Sequence, residues 1–472
     1  MNTHLSRFAI LLTAVFLCSC SSSQKKQESP SAVSKNTAES IEAADSPNAW
    51  PCSKHPFVGK FQVCKFQIEN GLKVLIVEDH KAPTFAYQTW FDVGSRDEIP
   101  GKTGLAHLFE HMMFKGTAKH PEGEFDKIME EAGSEGTNAF TSQDYTAYVQ
   151  ELPSTQLNTV IELESDRIRN LVVNEQSFST EREVVQNERR YRLENDPAGQ
   201  MHQDFFEGAF TLHPYHWPVI GYEQDLTKMT AQDAREFYQI HYSPNRATLV
   251  IVGDVSPTDI RSKVERYYGS IEAGPAWKRQ LPKEPPRKQP FRKTLKLNTQ
   301  VERLMMGYHV PEFSHSDTAA LNVLQFALGD GKSSRLHRAL VTAGVATRVY
   351  AYIQDSSDPT LFTLDVAMQK GKKASVAETA ILNEIEKIRK LGISAKELEK
   401  SKNRFQSSFY QGLDSNSEKA RYIGAMETVA GGYLEGLRFL ATVQATTRED
   451  VQRVVERWFK PENRVIVLGV PK

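Results

Sequence analysis

Residues 106–112 read AHLFEHM and place two histidines four apart around a glutamate, within an apolar pattern that predicts a helix over residues 103–115. Because each helical residue advances about 100°, His107, Glu110 and His111 share an arc of roughly 100° on one face. Two imidazoles one turn apart can both reach a zinc ion at about 2.1 Å. The spacing therefore predicts a metal-activated hydrolase, in which the ion lowers the pKa of its bound water to about 7 and Glu110 takes the proton.

A catalytic zinc ion takes three protein ligands and leaves one position for water, so a third ligand must come from elsewhere. A helical pattern over residues 180–195 opens with Thr180 and Glu183 in capping-box spacing. The same pattern carries Glu181 and Glu188, which are nearly two turns apart and point the same way. Glutamates on an exposed helix are usually only solvated, so the residues alone do not select a ligand.

The composition excludes several classes of protein. The chain has 472 residues, of which 39% are hydrophobic and 25% charged, with a formal net charge of -1. This is the profile of a globular protein of about two or three domains. Without a basic excess, we expect no nucleic-acid partner.

The first residues predict a secreted protein with a lipid anchor. Residues 1–19 read as a signal peptide, because Arg7 precedes an apolar run too short to span a bilayer. The LCSC sequence at its end resembles the bacterial lipobox, which implies that Cys20 carries lipid; an ordinary signal peptidase site is the alternative. Residues 20–54 then predict a flexible tether. We expect a location on the periplasmic side of the cell envelope, with the outer membrane favoured by Ser21.

Two further cysteines, Cys52 and Cys64, remain. In an oxidising compartment, a pair that closes a short loop predicts a disulfide worth about 2 to 3 kcal/mol. Two free thiols are the alternative.

The pattern after the tether predicts an α+β domain over residues 55–270. Two apolar runs flank Asn70 and Gly71, a dipeptide typical of a two-residue hairpin turn. Further strands are predicted over residues 85–93 and 247–254, and further helices over residues 122–132 and 154–170.

A second domain, residues 294–472, follows a proline-rich and charged linker over residues 271–293. In both domains, 11 residues separate an aspartate (Asp233 or Asp450) from a proline that precedes the last apolar strand. The shared order favours duplication over chance. The helix predicted over residues 316–328 occupies the place of AHLFEHM and contains no histidine.

The HxxEH motif, followed 77 residues later by a glutamate in an ERxxxxxE helix, resembles the pitrilysin or insulinase-like metallopeptidases, which include mitochondrial processing peptidase. The resemblance covers residues 66–472, through FxxGSRDE, GLAHLFEHMMFKGT, EGTNAFTSQDYTAY and GKSSRL. It implies one Zn²⁺ per chain, bound by His107, His111 and Glu188. It also implies that Glu181 orients a ligand or helps to polarise the water.

The resemblance implies two homologous domains, each with an antiparallel-rich sheet packed with helices, which form a clamshell open only to flexible chains. Asn138 and Ala139 match the family's Asn-Ala pair at a strand edge, which implies that a peptide adds to this edge by β-augmentation. A simple turn role is the alternative for Asn138.

The second domain departs from the family pattern. Family chains that complete their own cleft carry an arginine there and a tyrosine six or seven residues later. Val341 and Thr347 occupy these places here, unless a shifted register recruits Arg338 or Arg348 with Tyr350. The resemblance therefore implies a homologous partner chain that lacks the zinc motif and supplies the arginine and the tyrosine.

These observations predict a zinc-dependent endopeptidase that cleaves peptides or unfolded segments in the cell envelope, as the zinc-bearing subunit of a two-chain enzyme. One alternative is a non-catalytic assembly or chaperone-like scaffold of the same fold. Another is a lipid-anchored binding protein with an incidental HxxEH. The presence of all four zinc-site groups favours the enzyme.

Overall fold

The computed structural model describes residues 52–472, so the predicted signal peptide, Cys20 and nearly all of the tether lie outside the described residues. The first half contains a seven-stranded sheet in the order β1-β2-β3-β7-β4-β6-β5, in which only the β3–β7 pair is parallel. Its strands are β1 Ser53–Pro56, β2 Gln62–Gln67, β3 Lys73–Glu78, β4 Thr84–Phe91, β5 Glu135–Thr141, β6 Thr146–Pro153 and β7 Ala247–Gly253.

Helices cover one face of this sheet, and their apolar sides form the first core. The helices of this half are α1 Leu105–Met112, α2 Glu124–Glu131, α3 Leu157–Asn170, α4 Glu175–Arg189, α5 Pro197–Ala209, α6 Glu223–Lys228, α7 Ala231–His241 and α8 Pro257–Tyr268. Helix α1 lies in this core through Leu108, Phe109 and Met112, which are fully buried. Its burial fixes which face of α1 carries the polar residues.

The second half repeats this plan. Its elements are β8 Phe291–Leu297, β9 Arg303–Val310, α9 Thr318–Gly329, β10 Ala346–Ile353, β11 Thr360–Met368, α10 Ala374–Leu391, α11 Ala395–Gln411, α12 Asn416–Val429, α13 Tyr433–Ala445, α14 Arg448–Trp458 and β12 Arg464–Pro471. The sheet order β10-β11-β9-β12-β8 matches β5-β6-β4-β7-β3 strand for strand, with β8–β12 as the parallel pair. The predicted α+β class with two homologous domains is confirmed.

Each half also covers the outer face of the other half's sheet. Helix α12 packs on β4 and β7, where Trp90 meets Ile423 and Met426 in a shared apolar cluster. Helix α5 packs on the second sheet through Phe205, and a Cβ added to Gly307 of β9 would lie 2.4 Å from that ring. Both sheets are therefore buried on two faces, once by their own helices and once by a helix of the other half.

The connecting segment between α8 and β8 is held against the first half by side chains. Arg279 Nε lies 2.6 Å from Asp97 Oδ1, and Trp277 stacks 4.3 Å from the Arg246 guanidinium. Glu284 accepts hydrogen bonds from the three backbone N–H groups of residues 211–213. The predicted linker is thus an ordered part of the body, and its last residues belong to β8.

The amino-terminal end of the described body also differs from its expected bounds. Strand β1 begins at Ser53, inside the predicted tether, and a disulfide joins Cys52 to Cys64 with a Cα–Cα distance of 5.4 Å. Pairing with β2 places residues 53–56 in the sheet. Within residues 52–472, no helix combines the length and the apolar character needed to cross a membrane.

Candidate metal centre

Helix α1 is fixed at its start by a buried carboxylate. Glu98 accepts hydrogen bonds from the backbone N–H groups of Gly104 and Ala106, at 2.9 and 2.8 Å. These N–H groups have no partner inside the helix, so Glu98 takes the place of a capping side chain. Gly104 precedes the helix with φ 89°, where a Cβ would also lie 2.5 Å from the Ile220 carbonyl oxygen. Glu98 ends the FxxGSRDE motif, and the sequence alone predicted no role for it.

Helix α4 supplies the carboxylates that face α1. It begins at Glu175, because Asn174 caps it by accepting a hydrogen bond from the Ser177 N–H. The predicted capping box at Thr180 and Glu183 is therefore wrong, since the Thr180 hydroxyl donates to the Gln176 carbonyl oxygen inside the helix. Helix α4 contacts α1 through Glu181 and Glu188.

Three of the sequence-predicted residues converge on one carboxylate oxygen. Glu188 Oε2 lies 3.2 Å from His111 Nε2 and 3.8 Å from His107 Nε2. This oxygen is buried and has no hydrogen-bond partner. Two imidazole nitrogens and an unpartnered carboxylate oxygen form the donor set of a three-ligand zinc site. The residues present therefore fit the metal that the sequence predicts.

Glu110 shares the face of α1 with the two histidines but has a different partner. The metal-binding atoms of His107, Glu110 and His111 all lie within 4.8 Å of one another, so Glu110 could also approach an ion. However, Glu110 Oε2 accepts a hydrogen bond of 2.6 Å from the Thr141 hydroxyl on β5. Glu188 has no such competing donor on its Oε2 atom, and this favours Glu188 over Glu110 as the third ligand.

The charges around this cluster suit a cation. Burial, with the neighbouring His111, lowers the pKa of His107 to about 3. Burial also lowers the pKa of His111, but Glu181 and Glu188 outweigh it and raise that pKa to about 9. Burial raises the pKa of Glu188, yet the two histidines bring it down to about 2. For Glu110, burial raises the pKa. Negative charge is thus held beside the two imidazoles, where a divalent ion would take over the role of the protons.

Further polar contacts hold the predicted metal ligands in position. Glu181 Oε1 lies 2.9 Å from His111 Nδ1, and Lys115 Nζ lies 2.5 Å from Glu181 Oε2. Arg192 lies 2.8 Å from Glu188 Oε1. Sequence reasoning missed Lys115 and Arg192, although each stands four residues after a predicted ligand within the predicted helical patterns 103–115 and 180–195, and this spacing was the available signal.

Asn138 and Ala139 lie in β5, which is the free edge of the first sheet and contacts α1. Asn138 is exposed and is paired with Val149 of β6, so it occupies a strand position and not a turn. Ala139 faces α1, and its neighbour Thr141 reaches Glu110. The strand edge expected to receive a peptide thus borders the residue expected to take the proton.

The second half places no metal-binding side chains at the matching position. In chain order, α9 follows β9 and precedes β10, as α1 follows β4 and precedes β5. Within residues 52–472, the cluster on α1 is the one potential metal site. Val341 packs against the second core, and Thr347 is exposed on β10. Arg348 and Tyr350 share an exposed face of β10, with the guanidinium 5.6 Å from the Tyr350 ring.

Comparison with known proteins matches both halves. Residues 73–218 match the family described as insulinase (peptidase family M16), and residues 228–405 match the one described as peptidase M16 inactive domain. The zinc protease PqqE of Helicobacter pylori is 34% identical over 360 residues, which span 75% of this chain and 80% of the relative. The chain belongs to the M16 peptidase family. This confirms the predicted resemblance.

Solved structures of M16 proteins have the same fold. A protease from Helicobacter pylori aligns with a TM-score of 0.81 and 30% identity, over 87% of this chain and 99% of that chain. The periplasmic protease PqqL from Escherichia coli aligns with a TM-score of 0.74 and 20% identity, over 89% of this chain but only 48% of that chain. The M16 chain described here therefore corresponds to about half of that longer protein. The second M16 match includes α9, which lacks histidines.

Proposed function

We propose that this M16 chain is a zinc-dependent endopeptidase that cleaves peptides or unfolded polypeptide segments. One observation carries the proposal: Glu188 Oε2, buried and without a hydrogen-bond partner, faces both His111 Nε2 and His107 Nε2. The zinc protease name of the Helicobacter pylori relative supports the same chemistry.

In this proposal, His107, His111 and Glu188 hold the zinc ion. A bound zinc ion would activate a water molecule and polarise the scissile carbonyl group. Glu110 accepts the proton from that water and later passes it to the leaving amine. The Thr141 hydroxyl occupies Glu110 Oε2, so the other carboxylate oxygen is left for the proton transfer.

The substrate binds as an added strand along β5. An edge strand presents unpaired backbone N–H and C=O groups, so an extended peptide can pair with it whatever the sequence of the peptide. Asn138 and Ala139 lie on this edge, and Thr141 follows them. A folded domain cannot offer such a strand, which accounts for the proposed restriction to peptides and unfolded segments.

We further propose that the enzyme works in the cell envelope with a homologous partner chain. Cys20 would carry the lipid anchor on the periplasmic side. The partner would supply the arginine and tyrosine for which this chain has Val341 and Thr347. The periplasmic protease PqqL, of which this chain covers 48%, supports an arrangement with a second unit of similar size.

Zinc content and cleavage test the proposal together. We expect the purified chain to bind about one zinc ion, Glu188→Gln to lose it, and Glu110→Gln to keep it while losing cleavage of an unfolded polypeptide. Glu183→Gln, an exposed glutamate on the same helix, is the matched control and should behave as the wild type. Full cleavage by Glu110→Gln would refute the role of that residue.

The partner and the anchor need separate measurements. If the second chain completes the cleft, adding it should raise kcat/KM for the same peptide, and equal activity of the single chain would count against it. If Cys20 carries lipid, Cys20→Ser should move the protein from the membrane fraction to the periplasmic fraction; retention with the membranes would exclude this anchor.

A further inference from the structure

The edge strand β5 presents a second surface on the face away from the metal centre. Its side chains alternate, so Ala139 and Thr141 face α1, while Phe140 faces the side covered by α12. Phe140 packs edge-on against Trp90, with ring centroids 5.5 Å apart. A peptide added to β5 would therefore send every second side chain to the face of the sheet on which α12 lies.

An arginine of the second half lies on that surface. Arg421 of α12 places its guanidinium carbon 4.4 Å from the centroid of the Phe140 ring. Its Nε atom is buried and has no hydrogen-bond partner. Within residues 52–472, no carboxylate oxygen lies within 4.0 Å of this guanidinium, whereas the buried Arg96 has Asp144 at 2.9 Å.

Burial removes water from the Nε donor of Arg421, and no acceptor among the described residues replaces that water. Stacking on Phe140 recovers only part of the cost of that lost water. A carboxylate brought by a ligand would supply charge-assisted hydrogen bonds in the geometry that guanidinium favours. The arrangement is therefore suited to receive an acidic group.

The substrate strand would bring a side chain to the right place. Side chains directly opposite each other on paired strands have Cβ atoms about 4.5 to 5.5 Å apart. The substrate residue opposite Phe140 would thus stand beside the ring on which Arg421 is stacked, within reach of an aspartate or glutamate side chain. Since Thr141, the next residue of β5, contacts Glu110, this position lies close to the cleaved bond.

We propose that Arg421, stacked on Phe140, forms a subsite that selects an acidic side chain of the substrate on the face opposite the metal centre. This subsite rests on the proposed function, because it requires a peptide to bind along β5. It assigns to the zinc-free half a direct part in substrate choice. The half without metal ligands thereby contributes to specificity through α12.

Paired peptides test the subsite. A cleavable parent peptide with glutamine at one of the three positions on either side of the cleaved bond is compared with its glutamate counterpart. At one position, the wild type should cleave the glutamate peptide with a kcat/KM about tenfold higher. Arg421→Gln should abolish this ratio, and Arg421→Glu should transfer the preference to a lysine peptide. Arg438→Ala, which removes an exposed arginine of α13 paired with Glu435, should leave the ratio unchanged.

A binding measurement separates the subsite from the peptidase activity. In the Glu110→Gln background, fluorescence anisotropy should give a Kd about tenfold lower for the glutamate peptide, and Arg421→Gln should remove the difference. Preferential binding without any cleavage by the wild-type chain, either alone or with the proposed partner chain, would support the subsite and overturn the peptidase proposal. Cleavage with equal rates for both peptides, or a preference that survives Arg421→Gln, would overturn the subsite alone.

Folding is controlled by a charge-conserving variant. Arg421→Lys keeps the positive charge and should keep a preference for the glutamate peptide, although a weaker one. If Arg421→Gln does not fold, as judged by thermal unfolding, the Arg421→Lys and Arg421→Glu ratios decide the question. Identical ratios in these two oppositely charged variants would overturn the proposal.

Discussion

Lys115 Nζ lies 2.5 Å from Glu181 Oε2, and the other oxygen of the same carboxylate lies 2.9 Å from His111 Nδ1. Lys115 and His111 are four residues apart, so one short stretch of chain supplies both groups that contact the Glu181 carboxylate. The carboxylate is thereby fixed between an ammonium group and an imidazole ring. Such contacts orient a metal-binding histidine and set which ring nitrogen faces the ion.

Replacing Lys115 by alanine should weaken zinc binding about 10- to 100-fold, because Glu181 would lose the contact that fixes its orientation toward His111. The measurement is a competition with a fluorescent zinc chelator. Lys119→Ala is the control, since Lys119 is also paired with a glutamate, Glu162, on an exposed surface. An unchanged zinc Kd in Lys115→Ala would exclude a positioning role for this lysine.

Replacing Thr141 by valine should lower kcat about tenfold and leave the zinc content unchanged, because the carboxylate of Glu110 loses the hydrogen bond that orients it. Valine keeps the shape of threonine, and the backbone edge of β5 stays intact. Thr141→Ser restores the hydroxyl group and should recover most of the activity. A change in zinc content would show instead that Thr141 acts on the metal site.

Removing zinc with a chelator should lower the Tm, since an ion that binds only the folded state stabilises it by about 4 kcal/mol at a thousandfold excess over Kd. Without the ion, Glu188 Oε2 stays buried with no hydrogen bond and only its ion pair with His111. Glu188→Gln should start from a lower Tm and should not respond to the chelator. A full chelator-induced shift in Glu188→Gln would mean that another residue holds the ion.

Replacing Gly424 by alanine should destabilise the fold by about 1 to 3 kcal/mol, because the added methyl group would lie 2.2 Å from the Trp90 indole ring. Chemical denaturation measures this loss. Gly432→Ala is the matched control, because its methyl group would meet only the Glu427 carboxylate at 3.8 Å. Equal denaturation midpoints for both variants would show that α12 can shift on the first sheet at no cost.

Local patterns predicted much of the fold, and the misses have physical causes. The apolar spacing around His107 predicted the helix, its polar face and the pair of imidazoles, because all three depend on neighbours within two turns. The turn at Asn70 and Gly71 lies where it was predicted, but it spans residues 68–72, since Asn70 also donates to the Tyr268 and Ile271 carbonyl oxygens. Long-range hydrogen bonds of this kind leave no periodic trace in the sequence.

The candidate site was predictable to the same extent. Glu188 could be proposed only from the family resemblance, because nothing in its own helix distinguishes it from other glutamates. Lys115 could have been found from its spacing of four residues after His111 in the sequence. Arg421 gave no signal, because its position over Phe140 depends on how α12 of one half packs on the sheet of the other.

The exchange of α5 and α12 between the halves also sets what truncation would do. A stop codon between Glu188 and α12 would leave Trp90 and the apolar residues around it facing water, even though every histidine and glutamate of the metal centre would still be translated. Such a fragment would contain all residues of the metal centre, but we expect it to misfold and to be degraded. Genetic lesions far downstream of the chemistry should therefore be as damaging as those within it.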